Sequence, residues 1–157
     1  MKPLVIIVLS TLFFVGQGCA KPASVEPVAQ DTNPPTQDQT QDSTYQPFTR
    51  TAYEQAKADG KPILLNFFAN WCPTCAAQEP RTEALFINKK IPGGIIGFRI
   101  NYNDSDTDAD EVALAKQLGV TYQHTYIYFN AEGKETARTI GTTPDTTIIQ
   151  NLQKSTK

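Results

Sequence analysis

The stretch "KPILLNFFANWCPTCAAQEP" (Lys61–Pro80) decides the fold. Its opening, "KPILLNFFA", is a near-continuous apolar run, the pattern of a central strand buried on both faces. The next segment, "PTCAAQEPRTEALFINK", reads as a helix that Pro80 should kink, because proline lacks an N–H and its ring crowds the preceding turn. At the junction lie Cys72 and Cys75, with Cys-x-x-Cys spacing after a strand and at a helix start. That placement is a redox arrangement.

The physical reason is local. A helix N-terminus presents unpaired N–H groups and a partial positive charge, and both stabilise a thiolate on Cys72. The thiolate, not the thiol, is the attacking species. Cys75 lies one turn further in, where it can resolve a mixed disulfide, and should be less exposed. Pro73 shapes the turn without adding a donor, and Thr74 adds a hydroxyl near the sulfurs. Two other uses of the pair are a structural disulfide and half a zinc site. A zinc site wants four ligands, and only His124, the single histidine of the chain, is left to join the cysteines.

Outward from this junction the chain alternates. "TRTAYEQAKADG" reads as a helix with Ala52, Tyr53 and Ala56 on one face and Gly60 as its stop. "GIIGFRINY" is a second strand, and "ADEVALAKQLG" a helix with Val112, Ala115 and Leu118 inward. "HTYIYFN" and "KETARTIG" are strands joined through Ala131, Glu132 and Gly133, a hairpin signal. "TPDTTIIQNLQK" is a last helix, with Thr143 as N-cap, Pro144 in the first turn, and Ile148, Ile149 and Leu152 inward. The order α-β-α-β-α-β-β-α implies an α/β fold, a central mixed β-sheet flanked by helices on both faces.

The N-terminus reads differently. Lys2 precedes the apolar run "LVIIVLSTLFFV" (Leu4–Val15), which is short for a membrane span of about 20 residues and fits the core of a secretory signal. Gly18 before Cys19 suggests a lipoprotein signal over residues 1–18, with Cys19 lipidated; Gly16 stands where a larger aliphatic residue is usual. The run would also serve a signal cut elsewhere or an uncleaved anchor. Residues 19–47 are rich in Pro, Gln, Thr and Asp, and cannot offset ordering entropy by burial, so they read as a disordered tether. The folded domain is expected over residues 48–157. Export to the periplasm or cell exterior places the pair in an oxidising or redox-managed compartment.

Charge narrows the partners. From Phe48 onward there are 12 basic and 12 acidic residues, so the domain offers no electrostatic footprint for nucleic acid. The acidic run "NDSDTDADE" places aspartates at alternate positions, as a calcium loop does. Ala109 stands where an EF-hand needs glycine and Ala115 where it needs glutamate. The run therefore reads as a solvated loop capping the next helix.

These motifs carry a resemblance. "FFANWCPTC", Pro80 five residues after Cys75, "GV" followed by a Thr before a strand, and Gly141 together resemble the thioredoxin-like superfamily and its fold. "YEQAKADGKPILLNFFANWC", "DEVALAKQLGV" and "YIYFNAEGKE" are similar to the C-terminal thioredoxin-like domain of the membrane disulfide reductase DsbD. "WCPTC" is similar to periplasmic thioredoxins serving cytochrome c maturation. The resemblance implies dithiol–disulfide exchange with protein thiols and disulfides, without a small organic cofactor. Cys72 would attack, Cys75 would resolve, and Trp71 and Pro73 would shape the surface over the sulfur. It also implies the reductase direction and a separate membrane protein as electron donor.

Three positions depart from the family pattern. Asn66 stands where thioredoxins carry a buried aspartate, and an amide cannot accept the proton of Cys75. Glu79, one turn after Cys75, is the candidate substitute, the alternative being a solvated helix residue. Arg99 stands where thioredoxins have a lysine. His124, followed by Thr125, fills the slot of the family's cis-proline. His124 admits three readings: it packs and hydrogen-bonds a neighbour, it tunes the thiols as an imidazolium within about 4–6 Å, or it joins Cys72 and Cys75 in binding copper(I) or zinc. The third would make the chain a copper(I) chaperone or sensor of thioredoxin fold.

Overall fold

The computed structural model describes residues 43–157. The expected signal at 1–18, Cys19 and the tether up to residue 42 lie outside the described residues. The first element is a short strand, β1 (Thr44–Pro47), in a stretch whose composition reads as tether. It is followed by α1 (Arg50–Ala58), β2 (Ile63–Phe68), α2 (Pro73–Ile87), β3 (Ile96–Asn101), α3 (Ala109–Gln117), β4 (Thr125–Phe129), β5 (Glu135–Ile140) and α4 (Asp145–Ser155).

The strands form one mixed sheet in the order β1-β3-β2-β4-β5. β3 pairs parallel with both β1 and β2, while β4 runs antiparallel to β2 and to β5. Alternation along β2 separates two cores, as the strand period of two requires. Ile63, Leu65 and Phe67 join Tyr53 and Ala56 of α1 and Leu114 and Ala115 of α3. Leu64 joins Leu85 and Phe86 of α2 and Ile148 and Leu152 of α4. The sheet is thus covered on both faces.

β1 escapes the sequence reading because it is an edge strand whose side chains are mostly exposed. Its pairing with β3 is backbone to backbone, and its one inward ring, Tyr45, packs on Phe86 with centroids 5.2 Å apart. Gly97 of β3 makes room for both rings. A Cβ there would lie 2.7 Å from the Phe86 ring and would also collide with Tyr45.

Two local expectations are corrected. Val112 points outward, 56% exposed, and Glu111 and Leu114 take the inward positions of α3. The capping box sets this phase: Asp108 accepts from the Glu111 N–H, and the Glu111 carboxylate accepts from the Asp108 N–H. The acidic run does cap the helix. Thr143 is not the cap of α4; Pro144 holds that position, and the Thr143 hydroxyl donates instead to Thr139 or the Gly141 carbonyl. Pro80 lies inside α2, and the helix continues through it to Ile87.

Candidate functional site: a helix-capping disulfide with an imidazole beside it

Cys72 and Cys75 form a disulfide, with Cα atoms 5.2 Å apart. Cys72 is the N-cap of α2, and its Sγ accepts from the Cys75 N–H at 3.2 Å. The sulfur therefore occupies the place of a capping oxygen, where the helix dipole and an N–H both favour negative charge. Exposure does not separate the two cysteines, at 4% and 3%. Both are buried, so what distinguishes Cys72 is its position at the cap.

The loop before Cys72 is held from the side. Trp71 is 54% exposed, and its indole N–H donates to the Asn103 carbonyl at 2.9 Å. The Asn70 N–H donates to Asp104 Oδ2 at 2.8 Å, and the Asn70 side-chain amide donates to the Ser105 hydroxyl. Burial by itself would push the Asp104 carboxyl up. The bonds from Asn70, Thr107 and Asp106 outweigh it and hold the group below the usual carboxylate range. The acidic run thus has a second task, tying down the redox loop, which its composition does not disclose.

Behind the helix, Asn66 of β2 is buried and donates to Glu79 Oε2 at 2.7 Å and to the Tyr45 hydroxyl at 2.9 Å. The Tyr45 hydroxyl donates to the same carboxylate at 3.0 Å. Glu79 is half-buried rather than freely solvated. Burial pushes its carboxyl up, while the bond from Tyr45, the charge of Arg99 and the bond from Asn66 pull it partly back. The Arg99 guanidinium also lies over the Phe68 ring, 5.4 Å from its centroid.

His124 is where the structure adds most. It is 4% exposed and lies directly before β4. Its φ is +57°, an angle that proline, fixed near −65°, cannot take. The slot is therefore rebuilt, not merely refilled: the His124 N–H donates to the Phe67 carbonyl at 2.6 Å, a bond proline cannot make. Its ring reaches toward the helix, with Nδ1 3.2 Å from Thr74 Oγ1 and Nε2 2.9 Å from Gln78 Oε1. Thr74 Oγ1 lies 3.3 Å from Cys72 Sγ. Burial lowers the imidazole pKa, which favours the neutral ring while Cys72 and Cys75 are joined. The Thr125 hydroxyl donates to the Tyr122 carbonyl at 2.8 Å.

Sequence reasoning misses Gln78. Its signal is spacing: Thr74, Gln78 and Thr82 recur every four residues and so share one face of α2. Cys72, Cys75 and His124 bring one sulfur each and a ring nitrogen within 4.8 Å of one another. Both ring nitrogens, however, already face protein partners.

Comparison with known proteins accords with this geometry. A family model described as "Thioredoxin-like domain" matches residues 49–156. The chain belongs to the thioredoxin-like family. The solved structure of Trxlp from Edwardsiella tarda shares 30% identity, with a TM-score of 0.58 over 69% of this chain and 98% of that one. Spinach chloroplast thioredoxin F superposes with a TM-score of 0.56 at 23% identity, covering 73% of this chain and 94% of that one, a likeness of fold. The thiol:disulfide interchange protein DsbD of Salmonella typhi is 34% identical over 80 residues, 51% of this chain and 14% of that protein. DsbE of Pasteurella multocida is 41% identical over 64 residues, 41% of this chain and 32% of that protein. The interchange protein TxlA of Synechococcus elongatus is 31% identical over 102 residues, 65% of this chain and 50% of that protein. This thioredoxin-like chain spans half or less of those three relatives.

Proposed function

We propose that this thioredoxin-like chain is an exported, lipid-anchored thiol:disulfide oxidoreductase that exchanges disulfides with protein partners and works as a reductase. The observation that carries the exchange chemistry is the Cys72 sulfur at the N-cap of α2, bonded to Cys75 and accepting the Cys75 N–H. Reduction of a partner starts when the Cys72 thiolate attacks one partner sulfur, expelling the other as a thiolate. Cys75 then attacks Cys72, which releases the reduced partner and leaves the Cys72–Cys75 disulfide. Two electrons pass per cycle, so a reductase needs a separate donor, proposed to be a membrane protein. The sequence pattern read as a lipoprotein signal over residues 1–18, followed by Cys19, is what supports anchoring; no helix among the described residues is long and apolar enough to cross a membrane.

Cys75→Ser is expected to trap partners as mixed disulfides on Cys72, released by dithiothreitol; Cys72→Ser should trap none. Equilibration with dithiothreitol or glutathione buffers reads the direction. A potential near the thioredoxin value of about −270 mV supports a reductase, and one near about −120 mV would mark an oxidant. Labelling with a radiolabelled fatty acid, lost in Cys19→Ala, tests the anchor. The copper(I) reading is less favoured, because both imidazole nitrogens are engaged by Thr74 and Gln78. Tight stoichiometric copper(I) binding that disappears in His124→Ala would reverse that preference.

A further inference from the structure

Resting on the disulfide-exchange reading, we propose that Thr74 and His124 form a proton relay to Cys72, with Gln78 fixing the tautomer that makes it run. The relay is anchored at Gln78, whose amide is read by a backbone. Its Nε2 donates to the Thr143 carbonyl, and its Oε1 accepts from the Thr143 N–H at 3.0 Å. A carbonyl can only accept and an N–H can only donate, so the amide has one orientation. Gln78 Oε1, now fixed as an acceptor, faces His124 Nε2 at 2.9 Å. Nε2 must therefore carry the hydrogen, and Nδ1 presents a lone pair. The only group bonded to that lone pair among the described residues is the Thr74 hydroxyl at 3.2 Å, which must donate to it. The same hydroxyl oxygen lies 3.3 Å from Cys72 Sγ.

Sulfur, hydroxyl and imidazole thus form a line, and its direction is set at the far end. In the disulfide form the hydroxyl hydrogen goes to Nδ1. In the dithiol form the Cys72 S–H faces the Thr74 oxygen. As Cys72 gives its proton to Thr74 Oγ1, Thr74 gives its own to His124 Nδ1. The products are a thiolate, an unchanged hydroxyl now donating to that thiolate, and an imidazolium with both N–H groups donating. The thiolate accepts from Thr74 and from the Cys75 N–H. When it attacks a partner disulfide, a Cys72–sulfur bond forms and the partner's other sulfur leaves with the electron pair as a thiolate. The imidazolium balances that charge.

Three other features of the site fit this assignment. Asn66 cannot take a proton, and Glu79 is already engaged by Asn66 and Tyr45. The titratable groups facing the ring are Cys72 and Cys75 on the α2 side and Tyr126 of β4, its ring centroid 6.2 Å away. Burial holds the Tyr126 hydroxyl far above neutrality, so it does not compete for the proton. The backbone of His124 sits in the left-handed region, which is unfavourable for a side-chain-bearing residue. Strain of that kind collects at working sites.

The test uses the reduced full chain. Alkylation of Cys72 by iodoacetamide is followed against pH, with Cys72 resolved from Cys75 by fragment masses. Thr74→Val and His124→Asn are each expected to move the midpoint of the rate titration up by about one pH unit. Asparagine tolerates the positive φ and accepts no proton. The double variant should show no more than the single shift, and Thr74→Ser should keep the wild-type midpoint. An unmoved midpoint in Thr74→Val overturns the relay, as do additive shifts, which would mean that His124 acts on the sulfur directly. Nitrogen-15 NMR of the oxidised full chain needs no variant: a hydrogen on Nε2 is expected, and one on Nδ1 overturns the proposal. Exchange with dithiothreitol is measured alongside. A wild-type pair inert in exchange would defeat the oxidoreductase reading, whereas the alkylation midpoints would still decide the relay.

Discussion

At the scale of single residues, Asp104 shows how a surface acid reaches the redox loop. Its carboxylate accepts the Asn70 N–H, one residue before Trp71. The folded pKa is depressed, so the stabilisation is fully present above the ordinary carboxylate range near about 4 and is lost as pH falls through the folded value. Trp71 is the only tryptophan, so its emission reports on this loop alone. Acid titration of the wild type should show a Trp71 transition below about pH 4, before global unfolding. Asp104→Asn should lack that transition while the far-ultraviolet spectrum stays native. A transition of the same midpoint in the variant would assign it to another group.

At the scale of elements, β1, β2 and α2 meet at the Glu79 carboxylate, one residue from each strand bonding to the helix. The folded pKa of this acid is raised, which reverses the sign seen at Asp104. The folded state holds the proton more tightly than the unfolded chain, so stability is greatest at low pH and declines as pH rises from the ordinary glutamate value through the folded one. Glu79→Gln keeps an acceptor for Asn66 and Tyr45 and removes the charge. Urea midpoints measured from pH 4 upward should therefore fall in the wild type relative to Glu79→Gln across the range above about pH 4.3. A difference that does not change with pH would mean that Glu79 is solvated, as the simplest reading of its helix position has it.

At the scale of the whole molecule, the question is where the domain starts. A boundary at Phe48 leaves out β1, which pairs with β3 and seats Tyr45 on Phe86. A chain beginning at Ser43 is expected to melt like the full chain. One beginning at Phe48 should melt lower, by about 2–8 °C for each kcal/mol lost. Losing one partly buried aromatic ring and its hydrogen bonds would account for about 2–3 kcal/mol. Equal melting temperatures for the two truncations would show that the edge strand adds no stability.

The alternation of apolar runs and helical patterns, the two cysteines at a strand–helix junction and the hairpin before the last helix are all legible in the sequence, because each depends on neighbours within a few residues. Such local rules determined the sheet order's central strand, the position of Cys72 at a helix start and the membership of most core faces. They failed where a partner came from far along the chain. β1 lacks an apolar pattern and exists because β3 offers it a backbone edge. Val112 is a different case, a local one: the Asp108–Glu111 box, not the apolar pattern, set the phase of α3. The role of His124 could not be read from "YQHT", since it depends on Thr74 and Gln78, about fifty residues earlier. A hydrogen-bond direction is decided by the last fixed donor or acceptor in its line, here the backbone of Thr143, and only the tertiary structure brings that group within reach.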